Sequence, residues 1–484
     1  MFFHVYLATY NATMSSLIGR RFEVKMLHNA LTSSYSELIA VYGRRRVGKT
    51  FLIREVYKKE IVFSFSGLFQ ANLKMQLQNF QILLSRTGKK TTNPKSWLEA
   101  FYQLENFLDK KKSKKKKVIF IDEFPWLDSR KSNFLTAFDN FWNNYASKRN
   151  DLVVVICGSA ASYMIKHILK NTGGLHNRVT NKIHLKPFSL YETELLLKAN
   201  KVTLSKYDIL QIYMCMGGIP HYLQRISTGE SVVTIIDKLC FAKDGFLRTE
   251  FDVIFYSLFI KAENHIAIVK ALAKVRKGLT RAEILKKTKL KTGGTFSKTL
   301  NELTESGFIS YYLPYKGTKD RLYRLTDEYS MFYLKFIQGS SSEVGTWQTM
   351  YSQNAYKIWS GFSFETICLK HIKQIKQSLG ISGILSTTGS WVEKNDKQGA
   401  QIDLLIDRND NAINLCEIKF HNSVFTITKS YAESLRYKKQ IFQEKTKTNK
   451  NIFITFVTVY GLIINQHSLE VAQNEITMVD LFIE

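Results

Sequence analysis

The sequence predicts a multidomain α/β protein: an open parallel sheet built around a phosphate-cradling loop, a helical segment, a winged helix, and a second α/β unit at the C-terminus. Three observations carry this reading. Residues 43–50 read Gly-Arg-Arg-Arg-Val-Gly-Lys-Thr, a full match to the pattern G-x-x-x-x-G-K-[ST]. Apolar runs at 38–42, 118–121 and 152–157 suit buried parallel strands. From His265 to Leu325, three helix-like segments precede two strand-like ones, and a second strand pair follows at 402–406 and 413–420.

Taken in order, the N-terminus lacks a basic segment followed by a long apolar stretch, so no secretory signal is expected. Met14 could equally be the start, and residues 1–16 are read as an extension. The core is expected over 17–190. The run 38–42 is its first strand, and residues 51–56 open the following helix. Strand, glycine loop and helix make successive backbone N–H groups converge on phosphate oxygens at a helix N-terminus. The backbone of Gly43, Arg44, Arg45, Arg46, Val47 and Gly48 would cradle the phosphates. Lys49 would reach the β- and γ-phosphates, and the Thr50 hydroxyl would ligate Mg²⁺. The pattern points to ATP with Mg²⁺, in the sheet type of P-loop NTPases. A chance glycine turn before a helix is the bland alternative.

The run Val-Ile-Phe-Ile at 118–121 ends in Asp122 and Glu123, placing two carboxylates at the C-terminal edge of the sheet, where open α/β folds bind ligands. Asp122 would hold Mg²⁺, and Glu123 would act as general base on the attacking water. A strand with incidental acidic loop residues is the alternative. The run at 152–157 leads to Gly158 and Ser159, and Ser159 is the candidate γ-phosphate sensor on an inserted strand. The lysine-rich run at 110–117 is read as a solvated loop at the opposite end of the strand.

The chain has 484 residues, enough for two to four domains. Its 33 Phe and 24 Tyr with only five Pro favour ordered globular structure. The five cysteines make no CxxC or zinc spacing and read as small buried hydrophobes in a reducing compartment. No run of eighteen apolar residues implies a membrane span, and a cytoplasmic location is expected. The formal charge of +28 points to a polyanionic partner, with a lysine-rich compositional bias as the alternative.

Residues 191–262 are expected to form a helical lid. In it the Gly-Gly-Ile-Pro step at 217–220 marks a tight turn with Pro at a helix start. Residues 263–337 read as the winged helix: an apolar face from Ile266 to Val275, a capping box at 280–283, and a third helix from Thr295 stopped by Gly307. Its exposed positions Ser297, Lys298 and Asn301 could meet base edges or phosphates, with Lys316, Lys319 and Arg321 in the wing. DNA is the favoured nucleic acid, and a protein-docking role is the alternative.

Residues 338–484 form the last expected domain. Glu365 sits in a helix-like stretch, Asp403 begins a strand, and Glu417 and Lys419 share one face of the next. A hairpin can bring Asp403 beside them. Asp403 and Glu417 could then hold Mg²⁺ and position a water for phosphodiester attack, with Lys419 stabilising the transition state. An ordinary hairpin with a surface salt bridge is the alternative.

Leu17-Ile18-Gly19-Arg20, GRRRVGKT, VIFIDEFPWL, CGS, the Gly-Gly-Ile-Pro step, the winged helix and GAQIDLLID…CEIK occur in one order. That order resembles the prokaryotic, archaeal-type AAA+/STAND-like ATPases with a C-terminal DUF234 domain. The resemblance implies a restriction-endonuclease-like, PD-(D/E)xK fold for the last domain, with Glu365, Asp403, Glu417 and Lys419 at its acid and ExK positions. It also implies an arginine-finger or sensor role for Arg178 and an adenine-side role for Gly19-Arg20; a homo-oligomer is a separate expectation. Two functions stay open. One is an ATPase coupled to DNA engagement and a nuclease-like domain. The other is a nucleotide-driven signalling switch with a catalytically silent docking tail.

Overall fold

The computed structural model describes residues 17–484 apart from 89, 90, 114, 171, 172, 176, 260, 316–319, 342, 344 and 394–398. The expected N-terminal extension and the wing lysines Lys316 and Lys319 therefore lie outside the described residues. The chain divides into two compact units, one ending at Lys186 and the other beginning at Pro187.

The first unit is a five-stranded parallel sheet covered by helices. Its described elements are α1 (Arg21–Thr32), β1 (Glu37–Tyr42), α2 (Lys49–Val56), β2 (Ile61–Ser66), α3 (Leu73–Ser85), α4 (Trp97–Lys110), β3 (Lys117–Asp122), α5 (Phe134–Asn144), β4 (Leu152–Gly158) and β5 (Asn181–His184). The strand order is β2-β3-β4-β1-β5, with every described pair parallel. The near-continuous Val/Ile/Leu runs follow from burial on both faces: every residue of β3 and β4 is buried. An aromatic core lies over the sheet, with Phe101 stacked on Phe141 and edge-on contacts joining Trp97, Phe134 and Phe124. Because β4 lies between β1 and β3, three parallel strands deliver their C-terminal ends to one edge. That common edge carries residues 43–50, 122–123 and 159.

One expectation is corrected here. The lysine run does sit before β3, but Lys116 and Lys117 are buried. The Lys116 ammonium donates to the carbonyls of Ala30 and Tyr35 and to the Ser33 hydroxyl, and Lys117 pairs with Asp151 at 2.5 Å. Four-carbon stems let these ammonium groups reach the loops beneath the sheet, so the end of the run pins that edge together.

The second unit opens with α6 (Leu190–Ala199) and α7 (Lys206–Met216). Gly217 follows at φ +65°, and Pro220 starts the next short helix, as the Gly-Gly-Ile-Pro step predicts. Next come α8 (Glu250–Leu258), α9 (Ala262–Ala273), α10 (Arg281–Thr288), α11 (Gly294–Glu305), β6 (Ile309–Tyr312) and β7 (Leu322–Leu325). The Thr280/Glu283 capping box is formed, β6 and β7 are antiparallel, and Leu279 bridges to Tyr323. This is the expected three-helix and wing arrangement.

The remainder holds α12 (Asn354–Lys370), β8 (Ser386–Glu393), β9 (Ala400–Arg408), β10 (Ala412–Lys419), α13 (Lys429–Thr446), β11 (Asn451–Thr458) and β12 (Asn474–Thr477). These strands form a mixed sheet of order β12-β11-β10-β9-β8. The antiparallel meander β8-β9-β10 is followed by the crossover helix α13, as a parallel β10–β11 pair requires. All five cysteines are free and buried. No described helix is long and apolar enough to cross a membrane.

Candidate nucleotide site and C-terminal ion cluster

The loop after β1 is shaped by its glycines. Gly43 has φ +147°, and a Cβ there would lie 2.2 Å from the Leu185 carbonyl oxygen, so the close approach of the chain after β5 demands glycine. Gly48 has φ +90° and caps α2, and a Cβ there would meet nothing within 4 Å. The cradle is therefore open on the side where a helix N-terminus attracts anions. Arg46 also takes a left-handed conformation, and Arg44 is buried. The Arg20 side chain donates to the carbonyl oxygens of Val47 and Lys186, at 3.4 and 2.6 Å. These contacts place Arg20 against the backbone of the loop.

Lys49 is buried, and its ammonium donates to the carbonyls of Gly43 and Arg44 at 3.0 and 2.9 Å. Burial lowers its pKa, against the favourable charges of Glu123 and Asp122. The Thr50 hydroxyl donates to Asp122 Oδ2 at 2.7 Å. The Asp122 Oδ1 atom accepts the Glu123 N–H at 2.9 Å. A hydroxyl and a carboxylate brought together beside a phosphate cradle are hard oxygen donors, and this set fits Mg²⁺.

Glu123 lies just past β3 at φ +45°, a left-handed turn that redirects its side chain. The Ser159 hydroxyl donates to Glu123 Oε1 at 3.0 Å, and the Ser159 N–H to Oε2 at 3.4 Å. Burial raises the Glu123 pKa, opposed by Lys49. The structure thus joins Lys49, Thr50, Asp122, Glu123 and Ser159 at one sheet edge. Arg178 is exposed in the segment before β5, and none of the hydrogen bonds described for these five residues involves it. Cys157, read from the sequence as a small buried hydrophobe, is buried near the end of β4, and its pKa is raised chiefly by burial and next by the charge of Asp122.

In the second unit, the β9–β10 register pairs Cys416 with Leu404, so Asp403 and Glu417 come next along the two strands. The expected hairpin juxtaposition is formed. Its charges, however, are met by protein cations. Glu417 accepts from Lys438 at 2.6 Å and from the Tyr431 hydroxyl at 2.9 Å, and Lys419 lies 3.4 Å away. Glu365, with a side chain 3% exposed, accepts from Arg276 at 2.8 and 3.2 Å and from Arg324 at 3.4 Å. Asp403 accepts from Gln401 at 3.1 Å. Burial, with Glu365 and Glu417 nearby, raises its pKa to about 6.

Among the described residues, no group of three or more His, Cys, Asp or Glu is arranged to hold a metal. Mg²⁺ needs a near-octahedral oxygen set, whereas the Glu417 oxygens already carry ammonium and hydroxyl partners. The donors as arranged do not fit a divalent ion. Lys438, Lys419 and the Tyr431 hydroxyl meet the charge of Glu417, while Glu417 and Glu365 still disfavour ionisation of Asp403. Tyr431 and Lys438 are seven residues apart on α13, and that i, i+7 spacing was a legible sign that both face one way. Arg276 and Arg324 left no such sign, lying 89 and 41 residues from Glu365.

Residues 17–226 match the family model described as "ATPase domain predominantly from Archaea", and this segment is an ATPase domain of that archaeal type. The chain is similar to the uncharacterized protein MJECL04 of Methanocaldococcus jannaschii, 27% identical over 411 residues, covering 83% of this chain and 87% of that one. Among solved structures it is similar to the Walker-type ATPase PABY2304 of Pyrococcus abyssi, with a TM-score of 0.46, 16% identity, and coverage of 66% and 96% of the two chains. It is also similar to the Aeropyrum pernix ORC2 protein in its ADPNP–ADP complexes, with a TM-score of 0.40, 15% identity, and coverage of 70% and 96%.

Proposed function

We propose that this protein is a Mg²⁺-dependent ATPase whose nucleotide state governs engagement of nucleic acid, with DNA favoured, by the winged helix. The observation that carries the reading is the Lys49, Thr50–Asp122 and Glu123–Ser159 constellation at the edge of a parallel sheet. On nucleotide entry, Lys49 exchanges the Gly43 and Arg44 carbonyls for β- and γ-phosphate oxygens. Glu123, with a raised pKa, takes a proton from the attacking water, and Ser159 holds its carboxylate in place. Mg²⁺ held by Thr50 and Asp122 would supply neutralisation of the phosphate charge. The exposed Arg178 suits a finger contributed to a neighbouring copy.

The nucleic-acid part rests on charge. Residues 263–337 contain fifteen Lys and Arg against seven Asp and Glu, and Lys298 is exposed on α11, paired with Glu302 only at 3.8 Å. The ion-paired state of Glu365 and Glu417 favours a second reading for the C-terminal sheet. There, a nuclease-like fold would be catalytically silent and serve as a docking module in a nucleotide-driven switch. ATP titration and turnover of Lys49→Ala and Glu123→Gln test the first part. Lys49→Ala should lose tight binding, while Glu123→Gln should keep it and lose about 10²–10⁴-fold in turnover. Parental hydrolysis by Glu123→Gln would place the base elsewhere. Metal-dependent cleavage of plasmid DNA by the parent chain, lost in Asp403→Ala, would overturn the silent reading.

A further inference from the structure

We propose that Arg276 is a shared contact: it counters Glu365 in the free protein and passes to the phosphate backbone of a nucleic acid bound on the winged helix, so that docking uncovers Glu365. This inference rests on the nucleic-acid reading above and names the residue that carries it to the C-terminal site. Arg276 follows α9 and precedes Leu279, whose N–H and C=O both pair with Tyr323 at 2.8 Å. Gly278, at φ +80°, allows that approach, since a Cβ there would lie 2.6 Å from the Tyr323 carbonyl oxygen. The bridge therefore sets Arg276 beside Arg324 of β7, and both guanidiniums converge on one buried carboxylate.

The two arginines are not equivalent. The Arg324 side chain is 7% exposed, and its guanidinium lies over the Tyr312 ring at 4.5 Å, so it is a fixed counter-ion. The Arg276 side chain is 55% exposed, and it is flanked by exposed Lys274 and Lys277. Its Nε–H and one terminal N–H both donate to the same Glu365 oxygen, Oε2, and a guanidinium so placed can exchange that oxygen for a phosphate oxygen. Arg324 remains on Glu365 after the exchange, so the buried charge keeps one partner and avoids the heavy penalty of an unpaired ion.

The test uses the full-length chain with a short DNA duplex, binding read by fluorescence anisotropy across a salt series. Arg276→Gln should flatten the log–log salt slope by about 0.9, equivalent to about threefold in affinity over a fourfold salt range. Glu365→Gln frees Arg276 and should tighten binding, a gain that disappears in the Glu365→Gln/Arg276→Gln double variant. Hydrogen exchange gives a second readout in the parent chain. Adding duplex should accelerate exchange in α12 around Glu365, whereas Arg276→Gln should already exchange fast there without DNA. If Glu365→Gln misfolds by circular dichroism, the Arg276→Gln slope and the α12 exchange decide alone. Binding that ignores Arg276→Gln, or α12 exchange that slows on DNA addition, overturns the shared contact and leaves the nucleic-acid reading standing. Absence of duplex binding by the parent chain at low salt overturns both.

Discussion

Replacing Asp403 with Asn should stabilise the C-terminal sheet at neutral pH, although it removes an acid from the candidate site. The folded carboxyl has its pKa raised from 3.8 to about 6 by burial and by Glu365 and Glu417. The sign follows from proton uptake. Between these values the folded chain holds a proton that the unfolded chain has lost, so stability falls as pH rises through this window. At about 1.36 kcal/mol per pKa unit, a shift of roughly two units makes ionisation destabilise the sheet by about 3 kcal/mol at pH 7.5, and by about half that at pH 5. Asn keeps the oxygen that accepts from Gln401 and carries no charge. Hydrogen exchange of peptides across β9 and β10 in the full-length chain, with EDTA present, reads the effect locally. Exchange there should slow by about 100-fold at pH 7.5, much less at pH 5, and not at all in β1, β3 or β4. Faster exchange in Asp403→Asn, or the same change at both pH values, would refute burial of a charged carboxylate as the cause.

The remaining expectations concern the nucleotide edge and the winged helix. Gly43→Ala should destabilise the first unit and abolish ATP binding, because the added methyl would sit 2.2 Å from the Leu185 carbonyl oxygen at a strained φ; thermal unfolding with parental ATP affinity would contradict this. The acid limb of the turnover–pH profile should lie above the ordinary carboxylate range, since burial raises the Glu123 pKa, and Ser159→Ala should raise it further by removing a hydrogen bond to the charged form. A limb unmoved by Ser159→Ala would mean that Ser159 does not hold the base. Lys298→Ala should reduce the DNA salt slope by about 0.9, and an unchanged slope would remove α11 from the interface.

The nucleotide site was legible because each of its parts is local. A glycine loop between strand and helix spans eight residues, and the acids follow their strand directly, so chain geometry alone brings them to the sheet edge. The winged helix was legible for a similar reason: a capping box and helical periodicity are short-range signals. Even within the ATPase segment, the Glu123–Ser159 bond was not readable, because the strand order that sets β4 between β1 and β3 comes from packing across the whole sheet. The lysine run shows the same limit, since only the loops beneath the sheet decide that Lys116 and Lys117 are buried while their neighbours face solvent. The C-terminal cluster marks the boundary most clearly. The sequence by itself determined the acids, their hairpin and the shared face of Glu417 and Lys419. The tertiary structure decided their electrostatic state, because counter-ions are chosen by proximity in space. Arg276 and Arg324 reach Glu365 through the Leu279–Tyr323 bridge, and Lys438 reaches Glu417 from the crossover helix.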